Sequence, residues 1–257
     1  MIEIIKIGVI ALISGFASSM FGIGGSVVSS PMLAEFTKMT AIQAFATPLS
    51  TAFFSSVAGS YVFFRKKMIH IKIASLTLIT AIPVSLIITN LTQYMNAEWL
   101  LTGKTFLLLF IGLQVLFVRY FPQKDFGGKV KDGTLLCLST GVSAGIISGL
   151  FAIGGGIIFV PLFGMIHGLK FKNAVATSLF GVVFISLFNS IYHYFLGNIH
   201  LPTAILLAIF VLPGSLIGAR ISSEMKSGFL SKLFGFSVII FALYFIGNQF
   251  FTNLLWN

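Results

Sequence analysis

The sequence predicts an all-helical integral membrane protein built from two homologous repeats, the second inverted relative to the first. Each repeat is a glycine-broken re-entrant helical hairpin plus three transmembrane helices. Three observations predict this: a composition too apolar for water, a segment that recurs in mid-chain, and a lopsided distribution of basic residues. Of 257 residues, 57% are hydrophobic and 9% charged, against roughly a quarter charged in a soluble domain. Sixteen Lys and Arg against six Asp and Glu give a formal net charge of +10. Nucleic acid is not the partner this implies, because the basic residues are scattered between apolar segments with no aromatic-interleaved patch. The partners expected are the lipid bilayer and a small anion. The single Cys137 precludes an intrachain disulfide, and no group of His, Cys and carboxylate has metal-ligand spacing, so no metal or other cofactor is expected.

The recurring segment is Phe21-Gly22-Ile23-Gly24-Gly25-Ser26 with Pro31, which returns as Phe151-Ala152-Ile153-Gly154-Gly155-Gly156 with Pro161. At the same offset of 130 residues, Ala44, Ala46, Thr47 and Leu49 fall on Ala174, Ala176, Thr177 and Leu179, His70 on His200, and Pro83 on Pro213. Without a gap, 23 of 76 positions match between residues 15–90 and 145–220. That is the signature of an internal duplication. The repeats are expected at 1–132 and 133–257, together one transmembrane domain, with the polar stretch 121–133 as an aqueous linker. The apolar N-terminal segment belongs to the mature fold, since its counterpart lies in mid-chain.

Helices of about 20 residues cross a hydrocarbon layer of about 30 Å, and spans are predicted at 41–64, 71–92 and 99–118, with partners at 174–196, 201–219 and 229–250. The preceding segments, 4–34 and 134–164, are too long for one crossing and short for two. Glycine costs about 1 kcal/mol in a helix interior and permits positive φ. A break at each Ile-Gly-Gly into two short arms is therefore expected. Pro31 and Pro161, beyond the glycines, are structural: each removes an N–H and bends the second arm.

Charge decides whether each hairpin returns to its own side or crosses, because basic residues of short loops collect in the cytoplasm. If it crosses, about nine basic residues lie inside and seven outside. If it returns, thirteen lie inside, and only Lys6, Lys38 and Lys104 outside. The second count favours inverted repeats in the cell (plasma or inner) membrane, with both termini outside.

In inverted repeats the two glycine turns enter from opposite faces and meet near the midplane, where a ligand would sit. The arm after each turn starts a helix in mid-membrane, so its first N–H groups lack intrahelical partners and its positive dipole end points inward. Two such ends facing one space make an anion site, and the missing side chains let an oxyanion approach the backbone. The candidate binding residues are Gly22, Ile23, Gly24, Gly25 and Ser26 in the first repeat, and Ile153, Gly154, Gly155 and Gly156 in the second. Close packing of small residues is the competing structural role. Thr47, Thr177 and Ser178 are further candidate donors, with helix packing an equal alternative. Asn189 is an amide inside an apolar span and must find a partner in protein, water or substrate.

His70 and His200 fall at span boundaries, His193 stands beside Tyr192 and Tyr194 as in an interfacial aromatic belt, and Arg220 and Glu224 are spaced for a surface pair. Glu3, Glu35, Glu98, Asp125, Asp132 and Glu224 all lie in loops or at segment ends. No carboxylate is left in mid-membrane for a cation or a proton relay, which disfavours a cation pump. Neither a His-Glu-x-x-His motif nor a pair of catalytic Asp is present, so the chain is not expected to be an enzyme and has no catalytic residues to assign.

With its doubled motif, Gly22-Ile23-Gly24-Gly25-Ser26 with Pro31 and Gly154-Gly155-Gly156 with Pro161, followed by Ala176-Thr177-Ser178-Leu179, the chain resembles the TauE/SafE family of sulfite-exporter-like permeases. The resemblance covers essentially the whole chain. It implies export of a small sulfur oxyanion or organosulfonate such as sulfite or sulfoacetate. An importer or ion-coupled carrier of another small sulfur-containing anion, such as thiosulfate, stays open beside it. The chain departs from the family pattern where Ser26 replaces the third glycine, Ala152 the first, and Pro48 a serine.

Overall fold

A computed structural model of the chain describes residues 2–117 and 130–255, at several positions of the sixth and eleventh helices by backbone alone. The described residues form eleven helices: α1 (Ile2–Phe21), α2 (Ser26–Phe36), α3 (Ala41–Ala46), α4 (Leu49–Arg65), α5 (Ile71–Thr92), α6 (Ala97–Phe117), α7 (Thr134–Phe151), α8 (Gly156–Met165), α9 (Phe171–Phe195), α10 (Leu201–Glu224) and α11 (Ser227–Leu255). An all-helical fold is what lipid demands of an open chain, because every backbone group must be bonded internally. Six described helices are long and apolar enough to cross a membrane: α1, α5, α7, α9, α10 and residues 227–244 of α11. Of the expected linker, 121–129 lie outside the described residues.

The repeat is written into the backbone. The starts of α2, α3, α5 and α6 at residues 26, 41, 71 and 97 return at 156, 171, 201 and 227, and α1 and α7 end at 21 and 151. The pairing is crossed: α1 packs along α10, α7 along α5, α4 against α9 and α6 against α11. Small residues allow these approaches. A methyl group on Gly145 of α7 would stand 2.8 Å from the Ala81 carbonyl oxygen of α5.

Two equivalent hydrogen bonds fix the central pair. The His70 amide after α4 donates to Thr177 Oγ1 near the start of α9, and the His200 amide after α9 donates to Thr47 Oγ1 before α4, each at 3.1 Å. Each helix therefore ends where the other begins, and α4 and α9 run antiparallel.

Both hairpins return to the end from which they start. Lys6 Nζ near the start of α1 donates to the Phe36 carbonyl at the end of α2 at 3.5 Å. The Lys131 amide before α7 donates to the His167 carbonyl beyond α8 at 3.1 Å, and His167 Nδ1 contacts the Lys131 carbonyl at 2.5 Å. The first base leads directly into α3. The second lies at the opposite end of α4, where Lys72 meets Asp132 at 2.7 Å and its ammonium holds the Asp132 carboxyl below the usual range.

The arms are unequal, which corrects the expectation of two short ones. α1 and α7 have 20 and 18 residues, α2 and α8 only 11 and 10. The first arm extends because it packs along a full-length neighbour of the other repeat, whereas the second arm, with Pro31 or Pro161 inside it, is a half-helix. A second difference separates the repeats: α9 runs unbroken through 25 residues, while its counterpart divides into α3 and α4 at Thr47-Pro48. Proline lacks the N–H that would continue the helix.

Candidate functional site: the paired hairpin tips

Each tip turns through left-handed backbone. Gly22 and Gly24 have φ of 75° and 78° in the first, and Gly154 and Gly155 have 67° and 86° in the second. Ala152, at φ 49°, takes the same region with a side chain, at a cost of about 1 kcal/mol or more. The tips meet beside the first turn of α4 and the middle of α9. Gly24 and Gly154 both approach Ala52 of α4 and Val182 of α9, which are themselves equivalent by the repeat. A methyl group on Gly156 would stand 2.6 Å from the Gly22 carbonyl oxygen, and one on Gly24 would stand 3.1 Å from the Ile153 carbonyl oxygen. Backbone touches backbone, and Ile23 and Ile153 are buried beside the junction. The two tips meet as the sequence suggests, but in this structure they close on each other where the sequence reading expects room for an ion.

Neither α2, behind Gly25, nor α8, behind Gly155, is capped by a side chain. In their first turns the Val27 amide reaches the Gly24 carbonyl at 3.3 Å and the Ile158 amide the Gly155 carbonyl at 3.1 Å. Ser26 Oγ is fully buried at the start of α2 and has no partner among the described residues; the same holds for Thr51 Oγ1 on α4, whose methyl group abuts Gly25. Ser178 joins the tips, its hydroxyl lying 2.7 Å from the Gly22 carbonyl and 3.2 Å from that of Gly156. Pro31 and Pro161 sit inside α2 and α8.

The other candidates lie away from the junction. Thr47 and Thr177 hold the loops at opposite ends of the α4/α9 pair. Asn189 finds its partners in protein: Nδ2 donates to Ser85 Oγ at 3.1 Å and to the Ile185 carbonyl at 3.0 Å, and Oδ1 accepts from Thr89 Oγ1 at 2.8 Å. It ties α9 to α5.

Three surface assignments change. Glu224 pairs with Lys66 at 3.3 Å rather than with Arg220, because α10 ends beside the α4–α5 loop. His193 is 2% exposed and packs edge-on against Phe45, with ring centroids 6.3 Å apart, so it is not part of an interfacial belt. Lys104 is not an outer loop charge. α6 begins at Ala97, which carries Lys104 two turns into the helix, where it is 2% exposed. Its ammonium donates to Ser30 Oγ at 2.6 Å and to the carbonyl of Ala152 at 3.4 Å, and stands 5.4 Å from the centroid of the Phe45 ring. The signal that could have found it is a lone basic residue inside the apolar run from Leu100.

Crossing helices, two equivalent broken hairpins and an uncapped pair of mid-bundle helix starts define a multi-pass membrane protein of the transporter class. The comparisons with known proteins agree and are more specific. The model of the family "Sulfite exporter TauE/SafE" matches residues 7–245. A probable membrane transporter protein of Methanocaldococcus jannaschii is 26% identical over 241 residues, covering 85% of this chain and 86% of its own. The probable membrane transporter protein YunE of Bacillus subtilis is 24% identical over 242 residues, covering 85% and 88%. The sulfite exporter TauE/SafE family protein 2 of Arabidopsis thaliana is 29% identical over 164 residues, covering 58% of this chain and 35% of its own. No solved structure matches the chain. The chain belongs to the sulfite exporter TauE/SafE family of membrane transporters.

Proposed function

We propose that the chain exports a small sulfur oxyanion or organosulfonate, such as sulfite or sulfoacetate, as a uniporter driven by the membrane potential. It acts as a carrier and not as an enzyme. The observation that carries this reading is the meeting of two uncapped helix starts, Ser26 and Gly156, at mid-bundle, with an unpartnered Ser26 hydroxyl between backbone turns that leave no room for side chains. Amide donors and two positive dipole ends suit an anion. The family's name, and that of its Arabidopsis member, supports sulfite as the cargo.

Antiparallel α4 and α9, and hairpins that start from opposite ends of the bundle, support repeats inverted across the plasma or inner membrane. Lys66, Lys72, Lys131 and Lys172 gather at the end that holds the α7–α8 base. By the positive-inside rule that end is cytoplasmic, which puts the start of α1 outside. The contact between the tips is then a closed gate. Transport needs them to part, one repeat rocking against the other so that the ion meets the N–H groups of α2 and α8 in turn.

An outgoing anion gains about 2.3 kcal/mol per charge per 100 mV from an inside-negative potential, so export needs no coupling ion. In proteoliposomes loaded with sulfite, a potassium-diffusion potential, negative inside, should drive efflux with no proton or sodium gradient. Strict dependence on either gradient overturns uniport, and uptake against the potential overturns the direction.

A further inference from the structure

We propose that Lys104, with Ser30 and His193, forms a charged subsite for the transported oxyanion on the α6 side of the second hairpin tip. The inference rests on the anion-carrier reading above and adds to it the residue that supplies the positive charge.

A buried ammonium is costly unless something offsets its desolvation. Among the described residues no carboxylate stands within pairing distance of Lys104, unlike Lys66 with Glu224 and Lys72 with Asp132. What it does have is neutral: the Ser30 hydroxyl, the Ala152 carbonyl and the Phe45 ring. Two of its three N–H donors are used, one of them weakly at 3.4 Å, which leaves donor capacity for a negative guest.

An independent observation points to the same place. His193 Nε2 is buried without a partner, and its ring packs on the Phe45 ring that also receives the Lys104 charge.

The repeat supplies an internal control. At the offset of 130, Lys104 falls on Phe234, Ser30 on Val160, Phe45 on Val175 and His193 on Phe63. All four equivalents are buried apolar residues of one hydrophobic cluster, and Phe234 packs tilted against Phe21 at the first tip, with ring centroids 5.4 Å apart. The fold buries these four positions without a charge. The charge at the other four is therefore no requirement of packing, and the chemistry it fits is a compact oxyanion: a sulfite or sulfonate group placing one oxygen on the ammonium and another on His193 Nε2, while the Ser30 hydroxyl, which donates to the Ser26 carbonyl at 2.7 Å, accepts from the ammonium and positions it.

The test uses the full-length chain in proteoliposomes and in detergent, with sulfite, sulfoacetate, thiosulfate, phosphate and chloride as probes. Lys104→Met should raise the KM for sulfite tenfold or more, as expected for loss of a charge-assisted contact, and abolish the rise in melting temperature that sulfite gives the native chain. The anion-free melting temperature should stay level or increase, since a buried charge is removed. Lys104→Arg should keep part of the affinity. Ser30→Val, which installs the repeat equivalent, should raise KM about threefold in the same direction and gives a second readout if Lys104→Met does not assemble. Unchanged KM and unchanged protection by sulfite in either variant overturn the subsite, as does a lowered melting temperature with native KM, which marks Lys104 as a structural tie. If the native chain moves phosphate or chloride but no sulfur anion, the cargo reading fails. Loss of that other anion's binding in Lys104→Met would still uphold the subsite.

Discussion

The two hairpin tips share one backbone plan and surround it with opposite chemistry. Around the first tip, α1, α2 and α4 present the buried hydroxyls of Ser18, Ser19, Ser26, Thr51 and Ser55, with Ser18 Oγ 2.8 Å from Ser55 Oγ. The repeat equivalents of Ser19, Ser26, Thr51 and Ser55 are Gly149, Gly156, Gly181 and Ile185, and only Ser18 keeps its hydroxyl, as Ser148. Beyond the tips the inequality continues, with Lys104 facing Ala152 in one chamber and Phe234 facing Phe21 in the other. A duplicated scaffold needs two glycine breaks to place two helix starts at mid-membrane. The polar groups around the breaks are not part of that requirement, since the same backbone turn stands with hydroxyls beside one tip and glycine or isoleucine at four of the five equivalent positions beside the other.

This comparison can be broken in three further places. The largest effect is expected at the junction itself. Gly156→Val drives side-chain atoms into the backbone of Gly22 and Ile23, which cannot yield, and should cost about 3 kcal/mol or prevent assembly. Gly25→Val meets the Thr51 methyl group at 2.7 Å, which can rotate aside, and should cost clearly less. Melting temperatures of the two variants in detergent decide it, and equal losses would mean the tips are not packed unequally.

A middle-sized effect is expected at Asn189, whose repeat equivalent is Gly59. Asn189→Leu removes three hydrogen bonds but leaves Ser85 Oγ the Ile82 carbonyl at 2.9 Å and Thr89 Oγ1 the Gly149 carbonyl at 3.4 Å, and should lower stability by about 1 kcal/mol. The KM for sulfite should be unchanged, because the amide's partners are all protein; a raised KM would return Asn189 to the binding site.

The smallest stability effect is expected from Ser26→Gly, which copies Gly156 into the first repeat. The hydroxyl has no partner to lose, so the melting temperature should hardly move. If the hydroxyl meets the ion, the KM for sulfite should rise about threefold. A native KM in this variant would leave anion binding at the tip to the amides alone.

Much of the architecture was legible because lipid leaves so few solutions. The offset of 130 residues located the helix starts in both halves, and the prediction at 71–92 matches α5 residue for residue. The glycine breaks were legible too, since segments of that length fit neither one crossing nor two. The unequal arms were not, because their lengths depend on α1 lying along α10 and α7 along α5, a pairing between repeats that no local pattern encodes. Lys104 was visible as a charge inside an apolar run. Its partners were not, since Ser30 and Ala152 lie 74 and 48 residues away.

The sequence by itself determined that the chain is an all-helical membrane protein with two equivalent glycine-broken hairpins, because hydropathy, glycine and proline act locally and recur at a fixed interval. Only the tertiary structure decided which polar groups remain unpaired. Ser178, Thr47 and Thr177 carry hydroxyls as Ser26 does, and Asn189 an amide, yet these four bond to the backbone or to side chains across the bundle while the Ser26 side chain does not. Whether a buried donor is free for a guest depends on what packing brings within 3 Å of it, and that is a property of the assembled helices.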